Sequence, residues 1–225
     1  MLLASPARAA HPLISEDTGT QGSGGWQLEV NGERTRNDGV RATQMAAVLS
    51  YGMLDNADLQ LGLPYVRHQG RLDLALDLKW RFYESGAFSL GLMPGITLPS
   101  GDEARGLGAG RATWGSLLLL SYEPGSIGFH GNLGYRKNRN TLGQHESLGH
   151  VSAAIQFKPA PNLKPVLDLS RDPNPDPASR AAIRQGVLGV IWSPSKTVDL
   201  DLGVRRGNGA APADRALLAG VTLRW

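Results

Sequence analysis

Residues 72–82 alternate between large apolar side chains and small or charged ones. The apolar positions of this stretch are Leu72, Leu74, Leu76, Leu78, Trp80 and Phe82. The positions between them are Asp73, Ala75, Asp77, Lys79 and Arg81. A helix would scatter these charges around its surface, whereas a strand points successive side chains to opposite faces and so separates the two sets. The stretch therefore predicts a β-strand with one entirely apolar face.

The same period of two recurs along the whole chain and predicts twelve strands. The sequence contains 29 Gly and 14 Pro residues, which favours many turns over long helices. No apolar run, such as residues 117–120, approaches the roughly 20 residues of a membrane-spanning helix. The predicted strands are 26–36, 40–52, 57–67, 71–84, 87–98, 111–122, 127–137, 147–158, 163–170, 180–192, 197–205 and 216–225.

The connections between these strands alternate in length. Short turns are predicted near residues 54, 85, 124, 160 and 194. The other set has longer loops near residues 104, 142, 175 and 210 and two short early turns, the first an Asp38-Gly39 hairpin turn. Short turns at one end and longer loops at the other are typical of outer-membrane barrels. The predicted fold is therefore all-β: a twelve-stranded antiparallel up-and-down transmembrane β-barrel, with the N- and C-termini on the periplasmic side.

The last predicted strand ends on an aromatic residue. Its apolar face is Leu217, Ala219, Val221, Leu223 and Trp225. A strand that pairs with the first strand and closes a barrel has reason to end in this way, because closure removes the exposed edge. The ending also resembles the C-terminal signal by which bacterial outer-membrane barrels are recognised for assembly. Val221, Leu223 and Trp225 are the candidate assembly signal, and Trp26 is the predicted neighbour of Trp225 across the seam.

Alternation alone does not distinguish a membrane barrel from a soluble barrel or sandwich. Two features favour the membrane: aromatic residues gather at strand ends, and the apolar faces carry almost no charge. The polar faces would then line a lumen. The candidate pore-lining residues are Glu29, Glu33, Asp58, Asp73, Asp77, Lys79, Arg81, His130, Asn132, Arg136, His150, Lys164, Asp168, Asp199, Asp201, Arg205 and Arg224. For strand ten, the residues that face outward stay undecided.

The chain divides into three predicted parts. Ala7-Arg8-Ala9 has the small-x-small form of a signal-peptidase site, so residues 1–9 are interpreted as the remnant of a signal peptide. Residues 10–25 are polar and Gly-rich and are predicted to form an extended N-terminal periplasmic segment. Residues 26–225 form the barrel. Cysteine is absent, which excludes disulfides and a Cys nucleophile, and the net charge of +3 without a basic block argues against nucleic-acid binding.

Four stretches of the sequence carry a family resemblance. They are 11–22 with Trp26-Gln27-Leu28-Glu29, 58–65, 70–82, and 94–102 with its Leu98-Pro99-Ser100-Gly101-Asp102 loop. These stretches resemble the family named for the MetA pathway of phenol degradation. The resemblance covers about residues 11–110, and beyond them it is architectural. It implies an outer-membrane transporter barrel for hydrophobic or aromatic compounds.

His150 and Ser152 lie two residues apart on predicted strand eight and so share a face. A similar His-x-Ser occurs in outer-membrane phospholipase A, which is also a twelve-stranded barrel. A catalytic Ser needs an adjacent base, and the base needs an orienting group, for which Asn132 and Asp168 are candidates. The alternation of apolar and polar residues along this strand points the pair into the lumen, whereas a lipid hydrolase needs its catalytic residues to face lipid. The pair is therefore interpreted as lining the lumen, and no catalytic residue is assigned.

No cofactor or metal site is predicted. The Gly-rich stretch 106–110 has no Lys and precedes no helix, unlike a phosphate-binding loop. The five histidines show no metal-binding spacing on one strand. Asp172 and Asp176 fall in a predicted loop, where solvation is favoured over cation binding.

The sequence thus predicts an outer-membrane channel or transporter barrel for passive uptake of small compounds, hydrophobic or aromatic ones among them. Two alternatives stay open: an outer-membrane lipid hydrolase that uses His150 and Ser152, and a soluble β-barrel or sandwich that binds a ligand. The expected partners are outer-membrane lipid and lipopolysaccharide, the barrel-assembly machinery and a small-molecule solute. No enzyme activity is predicted, and no nucleic acid is expected.

Overall fold

The computed structural model describes residues 11–37, 40–211 and 213–225, which form a barrel of twelve long antiparallel strands. The strands are β1 (Trp26–Asn37), β2 (Val40–Leu54), β3 (Ala57–Val66), β4 (Leu74–Ser85), β5 (Phe88–Leu98), β6 (Thr113–Tyr122), β7 (Ile127–Lys137), β8 (Ser147–Phe157), β9 (Leu163–Asp172), β10 (Ile183–Trp192), β11 (Val198–Gly207) and β12 (Arg215–Arg224). A two-residue strand, Gly70–Arg71, pairs with the end of β3. A 3₁₀-helix spans Glu103–Arg105. Within the described ranges, no helix has the length and apolarity to cross a membrane.

The barrel closes between its first and last strands. β1 and β12 pair in an unbroken register from Gln27 with Arg224 to Arg36 with Arg215. Beyond that ladder, the N–H of Trp26 donates to the carbonyl of Trp225 (3.0 Å), and the N–H of Trp225 donates to the carbonyl of Trp26 (3.1 Å). Their rings stack with centroids 6.4 Å apart. The predicted twelve-stranded fold and the pairing of the two tryptophans are therefore confirmed.

The barrel has an apolar outside and a polar inside. Leu188, Leu202 and Leu217 are 61–62% exposed on the outer face. Carboxylates of the opposite face, such as Asp58 and Asp168, are wholly buried. A soluble barrel would bury the leucines and expose the carboxylates. This inversion is what a barrel surrounded by lipid requires, so the structure argues against the soluble alternative.

The two ends of the barrel differ in the length of their connections. Strands at one end are joined by turns of two to five residues, which are 55–56, 86–87, 123–126, 158–162 and 193–197. The other end carries the loops 67–73, 99–112, 138–146, 173–182 and 208–214. Trp26 and Trp225 both lie at the short-turn end. The predicted hairpin turn at Asp38-Gly39 and the predicted signal-peptide remnant, residues 1–9, lie outside the described residues.

The start of β4 differs from its prediction. The strand was expected from Arg71 with Leu72 facing lipid, but the regular ladder begins at Leu74. Leu72 turns inward and packs against Val66 and Leu107, because the loop 99–112 folds back over this corner. Asp73 holds that loop, since its carboxylate accepts hydrogen bonds from the N–H groups of Gly101 (2.9 Å) and Ala109 (2.8 Å).

β9 is longer than predicted, and β10 has the facing that the sequence left undecided. β9 extends to Asp172, which had been assigned to a loop. In β10, the undecided strand, Leu188 and Trp192 face outward and Val187 and Ile191 are buried in the interior. The interior of the barrel is therefore polar over most of its wall but apolar along β10. This apolar strip packs against the N-terminal residues described below.

The seam between Trp26 and Trp225 supports a prediction about assembly. Trp225→Ala removes a stacked aromatic pair, which is worth about 0.5–1.5 kcal/mol beyond its buried area, from the last contact that closes the barrel. We expect less folded, heat-modifiable protein in the membrane fraction than for the unaltered chain. Trp192→Ala is the matched control, because Trp192 is exposed at the same end but lies away from the seam. Equal membrane levels of the two variants would contradict this role of the seam.

Candidate functional site in the barrel lumen

The structure places all seventeen predicted pore-lining residues on the inner face of the wall or at its ends, and each is buried or half-buried. They do not form one continuous water-facing surface. Some bind the N-terminal segment, some pair with each other between strands, and Asp73 holds the loop 99–112 as described above. The lumen is therefore described below through the residues that lie inside it and the wall residues that bind them.

Residues 11–25, here called the N-terminal segment, run inside the barrel instead of joining its sheet. The segment starts beside β1 and β11, where the His11 ring lies 2.5 Å from Asp201 Oδ1. It crosses the lumen towards β9 and β7 and leaves along β3, where the N–H of Gln21 donates to Asp58 (3.1 Å). At the short-turn end, Gly24 and Gly25 pair with Gly52 through backbone hydrogen bonds of 2.8 Å. The segment thus contacts strands on all sides of the lumen and runs across it.

Asp168 on β9 is the main anchor of this segment. Its carboxylate accepts hydrogen bonds from the N–H of Ile14 (2.7 Å), the N–H of Ser15 (2.6 Å) and the hydroxyl of Ser15 (2.9 Å). The side chain is wholly buried. A buried carboxylate needs such donors, because leaving it without partners would cost several kcal/mol. The segment therefore solvates a charge that the wall alone leaves unsatisfied.

A second anchor joins the segment to β7 and β4. Asn132 accepts a hydrogen bond from the N–H of Glu16 (2.7 Å) and donates to the carbonyl of Glu16 (2.8 Å), as a neighbouring strand would. The Glu16 carboxylate lies 2.6 Å from Lys79 Nζ, and Asp17 lies 3.6 Å from the same atom. Burial raises the pKa of Glu16, while the Lys79 ammonium opposes that shift.

Apolar contacts complete the fit of the segment. Leu13 packs in a buried cluster with Ala154, Val166 and Ile191. Pro12 passes over two glycines of the wall, and a Cβ at Gly189 would come within 2.6 Å of its ring. A larger residue at position 189 would therefore collide with the segment. Gly203 makes the same allowance, since a Cβ there would lie 3.0 Å from Pro12.

Above the segment, towards the long loops, the lumen opens into a cavity of about 280 Å³. His11, Pro12, Leu13 and Ile14 form its floor. Its walls combine charged, amide and apolar side chains, among them Asn31, Arg136, His150, Asp172, Arg205 and Leu218. The cavity therefore offers an amphipathic surface that ends on the N-terminal segment.

Charged residues of the wall pair across strands. Arg205 Nη2 lies 2.5 Å from Glu33 Oε1 beside the cavity, and Arg224 Nη2 lies 2.8 Å from Asp199 Oδ2 near the short-turn end. These pairs keep charges of both signs on the lumen surface. The first pair joins β11 to β1 across the intervening β12, and the second joins the neighbouring strands β11 and β12.

His150 and Ser152 do form a hydrogen-bonded chain. His150 Nε2 lies 3.1 Å from the Ser152 hydroxyl, and His150 Nδ1 lies 2.8 Å from Asp172. The orienting acid is thus Asp172, not Asp168, while Asn132 contacts Ser152 at 3.3 Å. Ser152 is only 4% exposed and faces the lumen. A lipid in the surrounding bilayer cannot reach it, so the arrangement does not favour a lipid hydrolase.

The most important partners of the site were not predictable as side-chain patterns. Most of the groups that Asp168 and Asn132 bind are backbone groups of residues 14–16, and every residue carries a carbonyl and every non-proline residue an N–H. Thr18 binds Ser121 and Ser89, which are small residues of the inner face with no pattern of their own. Asp172 was missed because its strand was predicted to end too early. Nothing in the sequence indicated how deeply residues 11–21 enter the barrel.

Comparison with known proteins agrees with this architecture. The family model described as "Putative MetA-pathway of phenol degradation" matches residues 9–225. No curated protein matches the sequence. Among solved structures, the COG4313 outer membrane channel from Pseudomonas putida F1 is similar with a TM-score of 0.65 and 14% identity over 93% of this chain and 98% of that one. The NanC porin is similar with a TM-score of 0.67 and 9% identity over 87% of this chain and 98% of that one. The KdgM porin in complex with disordered oligogalacturonate is similar with a TM-score of 0.68 and 7% identity over 88% of this chain and 98% of that one.

The anchor at Asp168 supports a prediction about the N-terminal segment. Asp168→Asn replaces one acceptor oxygen by a donor that faces N–H groups. Since hydrogen bonds to a charged group are worth about 1.5–3 kcal/mol each, losing them should expose the segment to solvent at least about tenfold more often. The chain has no cysteine, so labelling of a single Ile14→Cys with a water-soluble thiol reagent measures this exposure.

Asp172→Asn is the matched control, because Asp172 lies on the same strand and binds His150 instead of the segment. Its labelling rate should equal that of the Ile14→Cys parent. Equal rates in the Asp168 and Asp172 variants would show that Asp168 does not hold the segment.

Proposed function

Since the chain belongs to the MetA-pathway of phenol degradation family, we propose that it is an outer-membrane channel for the passive uptake of small compounds, hydrophobic or aromatic ones among them. In this proposal the apolar outer face lies in the bilayer of the bacterial outer membrane. The short turns and both termini face the periplasm, and the long loops face outward. The solute enters from the side of the loops.

The observation that carries this proposal is how the lumen is closed. The cavity on the long-loop side ends on residues 11–14, which are held by side-chain hydrogen bonds and packing instead of being part of the sheet. A plug of this kind can move while the wall stays intact, because no strand pairing is lost. The barrel is therefore interpreted as a channel with a displaceable plug.

The lining of the cavity is compatible with small amphipathic solutes. Apolar side chains such as Leu13 and Leu218 lie beside Arg136, Arg205 and His150. Such a surface accommodates an apolar ring and a polar substituent at once. The predicted pore-lining residues would act in selection by width and charge once the segment has moved aside.

The partners follow from the same placement. Lipid surrounds the apolar outer face, and the small solute occupies the lumen. The strand that ends at Val221, Leu223 and Trp225 is proposed as the signal for the barrel-assembly machinery. An enzymatic role receives no support from the geometry, because Ser152 is buried in the wall beside the segment.

Single-channel recording in planar bilayers tests the proposal. The full chain should show small and infrequent conductance steps, because the N-terminal segment fills the lumen. A variant that lacks residues 12–20 should show conductance several-fold larger, since the anchors on Asp168, Asn132 and Lys79 then face water. Asp168→Asn should lie between the two, and Asp172→Asn should resemble the full chain.

Folding of each variant is verified first by heat-modifiable migration in gels. A deletion variant that is folded and inserted but gives flat current traces would overturn the channel proposal. Flat traces from a variant that does not fold call for the Asp168→Asn comparison, which removes only one side-chain anchor. If Asp168→Asn is folded and conducts no better than Asp172→Asn, the displaceable plug is wrong.

A further inference from the structure

The outer face of the barrel carries a row of arginines at the long-loop end. Six consecutive strands in the closed barrel, from β9 through β12 to β1 and β2, each contribute an exposed arginine near the long loops. These residues, here called the arginine row, are Arg171, Arg184, Arg206, Arg215, Arg36 and Arg41.

The register of the sheet brings these arginines directly opposite one another. Arg36 pairs with Arg41 on one side and with Arg215 on the other. Arg215 pairs in turn with Arg206, and Arg171 pairs with Arg184. Directly opposed residues on one face have Cβ atoms about 4.5–5.5 Å apart, and like charges at that distance are destabilising. A row built in this way needs a negative charge to bridge it.

No such charge comes from the protein itself in the part of the chain that the structure describes. There, the ion pairs of Arg81, Arg205 and Arg224 with acidic side chains involve no arginine of the row. The row shares its face with the outward leucines: Arg215 is two residues from Leu217, and Arg171 is two residues from Leu169. It therefore lies at the upper margin of the apolar band, where lipid headgroups meet the protein.

The same rim is different on the opposite half of the barrel. There the outward residues near the long loops include the aromatic Tyr65, Trp114 and Tyr135. Arg71, which lies opposite Tyr65, is not opposed by a second arginine. Aromatic side chains at this depth suit a lipid interface without regard to headgroup charge. Among the described residues, directly opposed arginines occur on one half of the rim, which indicates a specific site instead of a general girdle.

We propose that the arginine row binds phosphorylated headgroups of lipids in the outer leaflet of the membrane. A phosphate group can bridge two guanidinium groups and accept paired hydrogen bonds from each, which turns the repulsion within the row into binding. The adjoining apolar band receives the acyl chains of the same lipid. The inference rests on the proposed placement of this barrel in the outer membrane with its long loops outward.

Arg34 extends the row one step towards the bilayer. It lies on the same face as Arg36, between Leu217 and Thr43 in the register, and is exposed. A long side chain at such a position lays its methylene groups on apolar surface and directs its charge towards the headgroups. This geometry favours a lipid phosphate over a free anion or a soluble acidic protein, because only a lipid brings charge and apolar chains to the same place.

Binding of a phosphorylated lipid to the folded full-length chain tests the proposal. The chain is held in neutral detergent and titrated with lipid A, which carries two phosphates, and the bound lipids are counted by native mass spectrometry. The combined variant Arg36→Gln, Arg206→Gln and Arg215→Gln should need about tenfold or more lipid A for half-saturation, since several charge-assisted contacts are lost. Phosphatidylcholine, which has no net charge, should give no retained adduct with either protein.

The matched control removes three positive charges from the long loops instead of from the row. Arg105, Arg139 and Arg180 are exposed arginines of the long loops outside the row, and their combined replacement by Gln should leave lipid A binding unchanged. Equal loss in the two triple variants, or none in either, would overturn the proposal. Inorganic phosphate that displaces lipid A at equal concentration would also overturn it, by showing an anion site without a lipid component.

Two further measurements keep the outcome separate from the channel proposal. If the triple variant of the row does not fold, Arg215→Gln alone removes one of the two arginines that have two opposed partners and should weaken binding by a smaller factor in the same direction. Conductance recorded on the same samples should not change in the row variant. A chain that never conducts but loses lipid A binding in the row variant would refute the channel and support the lipid site.

Discussion

The backbone seam between β1 and β12 is the constraint on which the rest of the structure depends. A bilayer offers no hydrogen-bond partner to an open strand edge, so spanning strands must close into a ring. The Trp26–Trp225 hydrogen bonds complete that ring at the short-turn end. Once it is closed, the period of two fixes every side chain as outward or inward. The apolar band, the polar lumen and the outward arginines all follow from this closure of the sheet.

Closure creates a second problem in the interior, because it encloses carboxylates such as Asp58 and Asp168. A wide, wet lumen would hydrate them, but here their partners are backbone N–H groups of the N-terminal segment. An irregular backbone in turn carries donors that must be satisfied. The acidic wall and the loop-like segment therefore complete one another, and a segment without charged residues of its own could still dock through its backbone.

The sequence predicted the wall much better than its contents. The alternation in Leu74 to Phe82 and in Leu217 to Trp225 fixed strand identity, facing and closure, because each rests on local geometry. It failed at Leu72, where a tertiary contact with Leu107 outweighs the pattern. β10 was ambiguous because Val187 and Ile191 face an apolar patch of the segment. The position of residues 11–21 was not predictable, since backbone donors leave no trace in residue identity.

The contrast between the seam and the segment explains how one barrel can be both stable and openable. The seam is a continuous ladder of backbone hydrogen bonds from Arg36 to Trp26. In lipid, no water is present to replace a hydrogen bond that is lost from this ladder. The segment is held by separate contacts to Asp168, Asn132 and Lys79, which water can take over one by one once the lumen is wet. Exchange of a neutral protein hydrogen bond for one with water changes the free energy by about 0.5–1.5 kcal/mol, and exchange of one to a charged group such as Asp168 by about 1.5–3 kcal/mol. Movement of the segment therefore costs far less than opening the wall, and a polar lining keeps both the closed and the open lumen compatible with the same closed sheet.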